Sequence, residues 1–129
     1  MIDWSDYPHF TEAEFRCKGK NCCGGQADMK PDFLMALERV RSAFGRPMIV
    51  TSGYRCPEHD QYVGGAGVHP QGQAADFWLS GEPVYHLLGI AYAMDIKGIG
   101  LKQHGAFSGR MIHLDTMGGR TRPRVWTYI

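Results

Sequence analysis

The chain has 129 residues, a formal charge of +1, and 43% hydrophobic and 12% aromatic residues. That length gives one domain with a single core, and the near-neutral charge argues against a dedicated nucleic-acid binder, which carries a basic excess. No long uncharged apolar run is present, so no transmembrane helix is expected.

The opening segment "MIDWSDYPHF" carries two aspartates and no basic apolar leader. A secretory signal peptide is therefore not expected, and synthesis in the cytoplasm is. In "FTEAEF", Thr11 and Glu14 make a capping box, which predicts a short helix. The loop "CKGKNCC" follows and holds Cys17, Cys22 and Cys23; Cys56 lies further on. Three readings of these cysteines stay open. They are free thiols in a reducing compartment, a structural zinc site of non-standard spacing, or a disulfide from Cys56 to the loop.

The clearest helix runs from about residue 30 to 44. Pro31 suits its first turn, and Phe33, Leu34, Leu37, Val40, Ala43 and Phe44 form one apolar stripe. Gly45 and Pro47 end it. "MIVTS" reads as a buried strand and "GYRCPEHD" as a turn-rich connection. Residues 63–73 hold four glycines and read as a loop. "AADFWL" is strand-like. A second helix, roughly 83–94, places Val84, Leu87, Leu88, Ala91 and Met94 on one face. "GIGLKQ", "GRMIHLD" and "RVWTYI" read as three late strands. Helices first and strands clustered late predict a small α+β domain around an antiparallel sheet rather than a βαβ repeat.

His69 and Asp76 offer two groups that bind zinc, but seven-residue spacing alone decides little. In "RMIHLDT", strand alternation turns His113 and Asp115 to one face, away from Ile112 and Leu114. Two polar groups there fit either a solvent-facing edge strand or a metal ligand with a carboxylate beside it. Arg55, just after a strand, is either a surface arginine pairing with Glu58 or Asp60, or a fork for a substrate carboxylate.

Taken together, "SGYRCPEHD", "GVHPQGQAAD" and "MIHLD" resemble the zinc peptidases of the M15 type. These comprise D-alanyl-D-alanine carboxypeptidases and dipeptidases and phage endolysin L-alanyl-D-glutamate endopeptidases, and the zinc domain of hedgehog proteins shares their fold. The family's first motif has the form S-x-H-x-x-G-x-A-x-D, and residues 67–76 fit it except that Gly67 stands for the serine. The resemblance implies a zinc ion held by His69, Asp76 and His113, with Arg55 beside it as a catalytic and substrate-binding group. It implies metal-assisted hydrolysis of the peptide stems of bacterial cell wall, with no nucleic-acid or membrane partner. Action outside the cell would follow phage-type release or incorporation in a virion.

Many members carry a carboxylate three to six residues before the last histidine as general base. Residues 107–112 contain none. Other members carry H-x-D, as here, so Asp115 is the candidate proton carrier, with a supporting role behind His113 as the other reading. His59 and His104 read as surface histidines. Arg120, Arg122 and Arg124 read as a solvated basic turn, with contact to anionic wall polymer as the alternative. The competing functional class is a non-catalytic zinc-containing module on the same fold, such as a phage tail component.

Overall fold

A computed structural model describes residues 1–129. Its elements in chain order are α1 (Glu12–Phe15), α2 (Pro31–Phe44), β1 (Ile49–Ser52), α3 (Pro57–Tyr62), β2 (Ala74–Trp78), α4 (Glu82–Ala93), β3 (Gly98–Lys102), β4 (Met111–Asp115) and β5 (Arg124–Thr127). Single 3-10 turns lie at Trp4–Asp6, His69–Gln71 and Phe107–Gly109. The strands form one sheet in the order β1-β2-β4-β3-β5. The fold is α+β, as expected. The first four strands pair antiparallel, but β5 lies parallel to β3. After β4 the chain crosses the start of β3 through residues 116–123 and enters β5 at the same end of the sheet, where Gly98 faces both Asp115 and Arg124.

The sheet has two unlike faces because side chains alternate along each strand. Ala75, Phe77, Ile99, Ile112 and Leu114 point to one face and join Phe33, Leu34 and Leu37 of α2 and Leu87 and Ala91 of α4 in a single core. Each fully buried leucine, isoleucine or phenylalanine contributes roughly 1.5–3 kcal/mol, so this face carries most of the stability. Asp76, His113 and Asp115 occupy the intervening positions and point the other way.

Four details differ from the sequence expectations. α3 is a helix where a turn was expected; Pro57 opens it and Glu58 and Asp60 occupy its first turn. β1 is an edge strand with Ile49 and Thr51 exposed, not a buried one. Ala43 faces solvent, and the buried stripe of α2 includes Glu38 instead, which pairs with the His9 ring. Met94 lies just past α4 and is exposed. The capping box at α1 forms, with Thr11 N–H donating to Glu14 at 2.8 Å.

Candidate metal centre

β2 and β4 pair so that Asp76 and His113 are direct neighbours across the sheet. His69 sits in the 3-10 turn before β2. Gly72 ends that turn with φ 72°, its N–H donating to the His69 carbonyl at 3.1 Å, and the chain then enters β2 through the fully buried Ala74 and Ala75. The turn folds His69 back over Asp76, with Nε2 3.4 Å from Oδ2. His113 Nδ1 lies 2.9 Å from Asp76 Oδ1. One ligand atom from each of His69, Asp76 and His113 falls within 4.8 Å of the others.

The outward nitrogens of both histidines are already committed. His69 Nδ1 is 2.7 Å from the Gly53 carbonyl oxygen, which can only accept, so Nδ1 carries the proton and Nε2 presents a lone pair to the cluster. His113 Nε2 is 2.7 Å from Asp115 Oδ2. Asp115 also accepts from Arg122 Nε and Nη2, at 2.9 and 2.8 Å, and from the Met117 N–H at 3.1 Å. That places the Nε2 proton toward Asp115 and leaves Nδ1 facing Asp76. Metal-ligating histidines are oriented in this way, the second ring nitrogen donating to a carbonyl or carboxylate. Two imidazole nitrogens and a carboxylate are donors that zinc accepts, so the residues fit the ion.

Burial alone would raise the Asp76 carboxyl; its contacts with the His113 and His69 rings outweigh it and hold it well below the usual carboxylate range. Asp115 behaves likewise, with burial opposed by His113 and Arg122, and is pushed down to about 2. Burial lowers His113, but Asp115 and Asp76 on either side of the ring prevail and raise it. Asp76 is therefore ionised at neutral pH and offers an anionic oxygen to a cation.

The family profile described as Peptidase M15 matches residues 8–115. The chain belongs to the peptidase M15 family. No curated protein matches it. M15 peptidases are zinc-dependent, and this M15 chain has a donor set able to hold the ion.

The cluster lies in a cleft of about 740 Å³. One wall of this M15 cleft is Arg55 and the glycine-rich loop 64–67; the other is Arg122, Arg124, Trp126 and Tyr128. Arg55 is held by Ser52 Oγ at 3.1 Å and Asp60 at 3.0 Å, and its Nη2 reaches Asp76 at 3.5 Å. Asp60, not Glu58, is thus its acidic partner, and the same Asp60 accepts the Gly67 N–H at 2.9 Å. Gly67 has φ 84°, a conformation that serine adopts only at a cost, which accounts for the altered motif. Asp115 is 0% exposed and does not line the cleft.

Arg122 is not solvated. Its side chain is only 6% exposed, locked against Asp115 and over the Trp126 ring. His59 stacks on Tyr62 and His104 contacts the Tyr128 carbonyl, so neither joins the centre. Gly53, Trp126 and Tyr128 were not singled out from sequence. A signal existed for two of them: Arg124, Trp126 and Tyr128 recur at every second residue, so one strand face carries all three. Gly53 acts through its carbonyl, which no local pattern reveals.

Proposed function

We propose that the chain is a zinc-dependent peptidase that hydrolyses the peptide stems of bacterial cell wall. The observation that carries this reading is the preparation of both histidines, each with its outer ring nitrogen held by an oxygen and its inner nitrogen turned to Asp76. When bound, zinc supplies a Lewis acid that polarises a carbonyl and acidifies water. The chain's own residues do the remainder. Arg55, fixed by Ser52 and Asp60, presents its guanidinium beside Asp76, where it can hold a substrate carboxylate or a developing oxyanion. Arg124 at the rim adds a second cation suited to an anionic stem peptide. Burial, the largest influence on Tyr128, pushes its phenol up, so the hydroxyl keeps its proton and remains a donor in the cleft. Asp115 orients His113 and is a positioning residue.

The second reading, a non-catalytic zinc module, is favoured by one observation. Asp76 is the only carboxylate lining the cleft, and it is a ligand in this scheme, so no free carboxylate stands ready as a base. Zinc-loaded protein incubated with peptidoglycan, and separately with D-Ala-D-Ala-terminated peptides, separates the two. New amino groups that vanish with chelator and return with zinc are expected. Retained zinc with no amine release from either substrate would establish the module instead.

A further inference from the structure

Away from the His–Asp–His cluster, the four cysteines converge. Cys17, Cys22 and Cys23 come from a stretch with no helix or strand, and Cys56 stands at the N-cap of α3, yet their sulfurs all lie within 4.8 Å of one another. Cys17 Sγ is 3.8 Å from Cys56 Sγ and 3.9 Å from Cys22 Sγ, and Cys22 Sγ is 3.9 Å from Cys23 Sγ. A disulfide needs sulfurs about 2 Å apart. A tetrahedron of thiolates at Zn–S distances of about 2.3 Å has edges of about 3.8 Å. The three measured edges match the tetrahedron. We propose that Cys17, Cys22, Cys23 and Cys56 form a second, tetrathiolate zinc site with a structural role.

Three further features fit that assignment. Backbone N–H groups aim at the sulfurs, from Cys56 to Cys17 Sγ and from His59 to Cys56 Sγ, both at 3.4 Å; such bonds favour thiolate over thiol. Lys18 and Lys20 flank Cys22 in the adjoining hollow and offset the negative charge that four thiolates leave around a divalent ion, with Glu58 the one opposing charge there. Gly19 packs against Cys22, so that a Cβ at this position would overlap its sulfur. Zinc ligates thiolates, so binding Zn2+ releases the thiol protons to solvent, and the site couples to folding as structural zinc sites do.

The location gives the site a purpose. Residues 16–30 form a long connection without regular structure, and Cys56 closes the turn that follows Ser52 at the end of β1 and supplies Gly53 and Arg55. Four thiolate bonds to one ion tie that loop to the turn. They hold the carbonyl that orients His69 and the arginine that faces Asp76. Without the ion the segment keeps the Tyr54 N–H bond to the Phe15 carbonyl, at 2.9 Å, but loses the thiolate brace.

Metal analysis of the full chain, purified under reducing conditions with zinc supplied, tests this. Two zinc ions per chain are expected for the wild type and one each for Cys22→Ser/Cys23→Ser and His69→Ala. Cobalt-loaded wild type and His69→Ala should both show thiolate-to-cobalt charge transfer. Titrating native wild type with a thiol-blocking mercurial should release one equivalent of zinc, a measurement that needs no variant to fold. Wild type with a single zinc that His69→Ala abolishes would overturn the proposal, as would an intact mass showing a disulfide or stoichiometric iron in the thiolate site. A zinc that persists in His69→Ala but not in the double cysteine variant would sustain this site even if the peptidase reading failed.

Discussion

Asp115 sits one bond behind the candidate metal centre, with His113 on one side and Arg122 on the other. A carboxylate with no exposure, two charged partners and a titration point near 2 is poorly placed to collect protons at neutral pH. Its contact with Nε2 leaves His113 Nδ1 toward Asp76. Asp115→Asn keeps the shape but leaves the Arg122 guanidinium buried without its counter-charge. It should destabilise the fold by about 3–5 kcal/mol, read as a fall in Tm. Zinc affinity, measured by competition with a chelator, should drop about 10- to 100-fold. Unchanged zinc affinity with a large fall in kcat would instead make Asp115 the proton carrier. His69, Asp76 and His113 were legible from the chain because their motif preserves residue type and spacing. Arg122 was not, because its partner is set by a loop that crosses the sheet, and nothing in "GGRTRPRV" distinguishes a solvated arginine from a buried one.

β3 owes its composition to what lies beside it. Gly98 and Gly100 alternate along the strand on the cleft-facing side, opposite Asp115 and His113. A Cβ at Gly98 would overlap the Asp115 carboxylate, and one at Gly100 would lie 2.7 Å from Trp126 Nε1. Gly98→Ala should therefore cost about 1–3 kcal/mol through overpacking and also weaken zinc binding, since Asp115 must shift. Gly89→Ala is the matched control: it lies within α4, meets nothing within 4 Å, and should raise stability by about 0.4–1 kcal/mol with zinc affinity unchanged. Thermal melts and zinc titrations of the two variants would reveal whether bulk at Gly98 or helix propensity governs. At this scale α2, α4 and most of the strands were readable from periodicity. α3 was passed over because six residues show no apolar stripe, although Pro57 and two following acids are helix-start signals. The parallel placement of β5 depends on a crossover that residue pattern does not encode.

Across the whole molecule, the sheet separates stability from chemistry: its helix-covered face is apolar and its open face carries the charges. The N-terminal segment is fastened to the core side by the His9 backbone and ring, both bonded to the Glu38 carboxylate on α2. Burial would raise Glu38, but the hydrogen bonds from His9 outweigh it and lower the carboxyl below its unfolded value. A depressed folded-state titration stabilises above the unfolded value of about 4.3 and is lost as pH falls through the folded one. Wild type should thus melt above Glu38→Gln at pH 7, with the gap closing as pH drops below about 4; a gap constant over that range would show that the charge plays no part. No helix is long and apolar enough to cross a membrane. The family match ends at Asp115, whereas the wall formed by Arg124, Trp126 and Tyr128 lies beyond it. Tyr128 is one residue from Ile129, so anything spliced after Ile129 begins at the mouth of the cleft. A polyhistidine tail fused there would bring competing imidazoles to the metal and mimic an inhibitor, whereas the same tail ahead of Met1 would not start at that mouth.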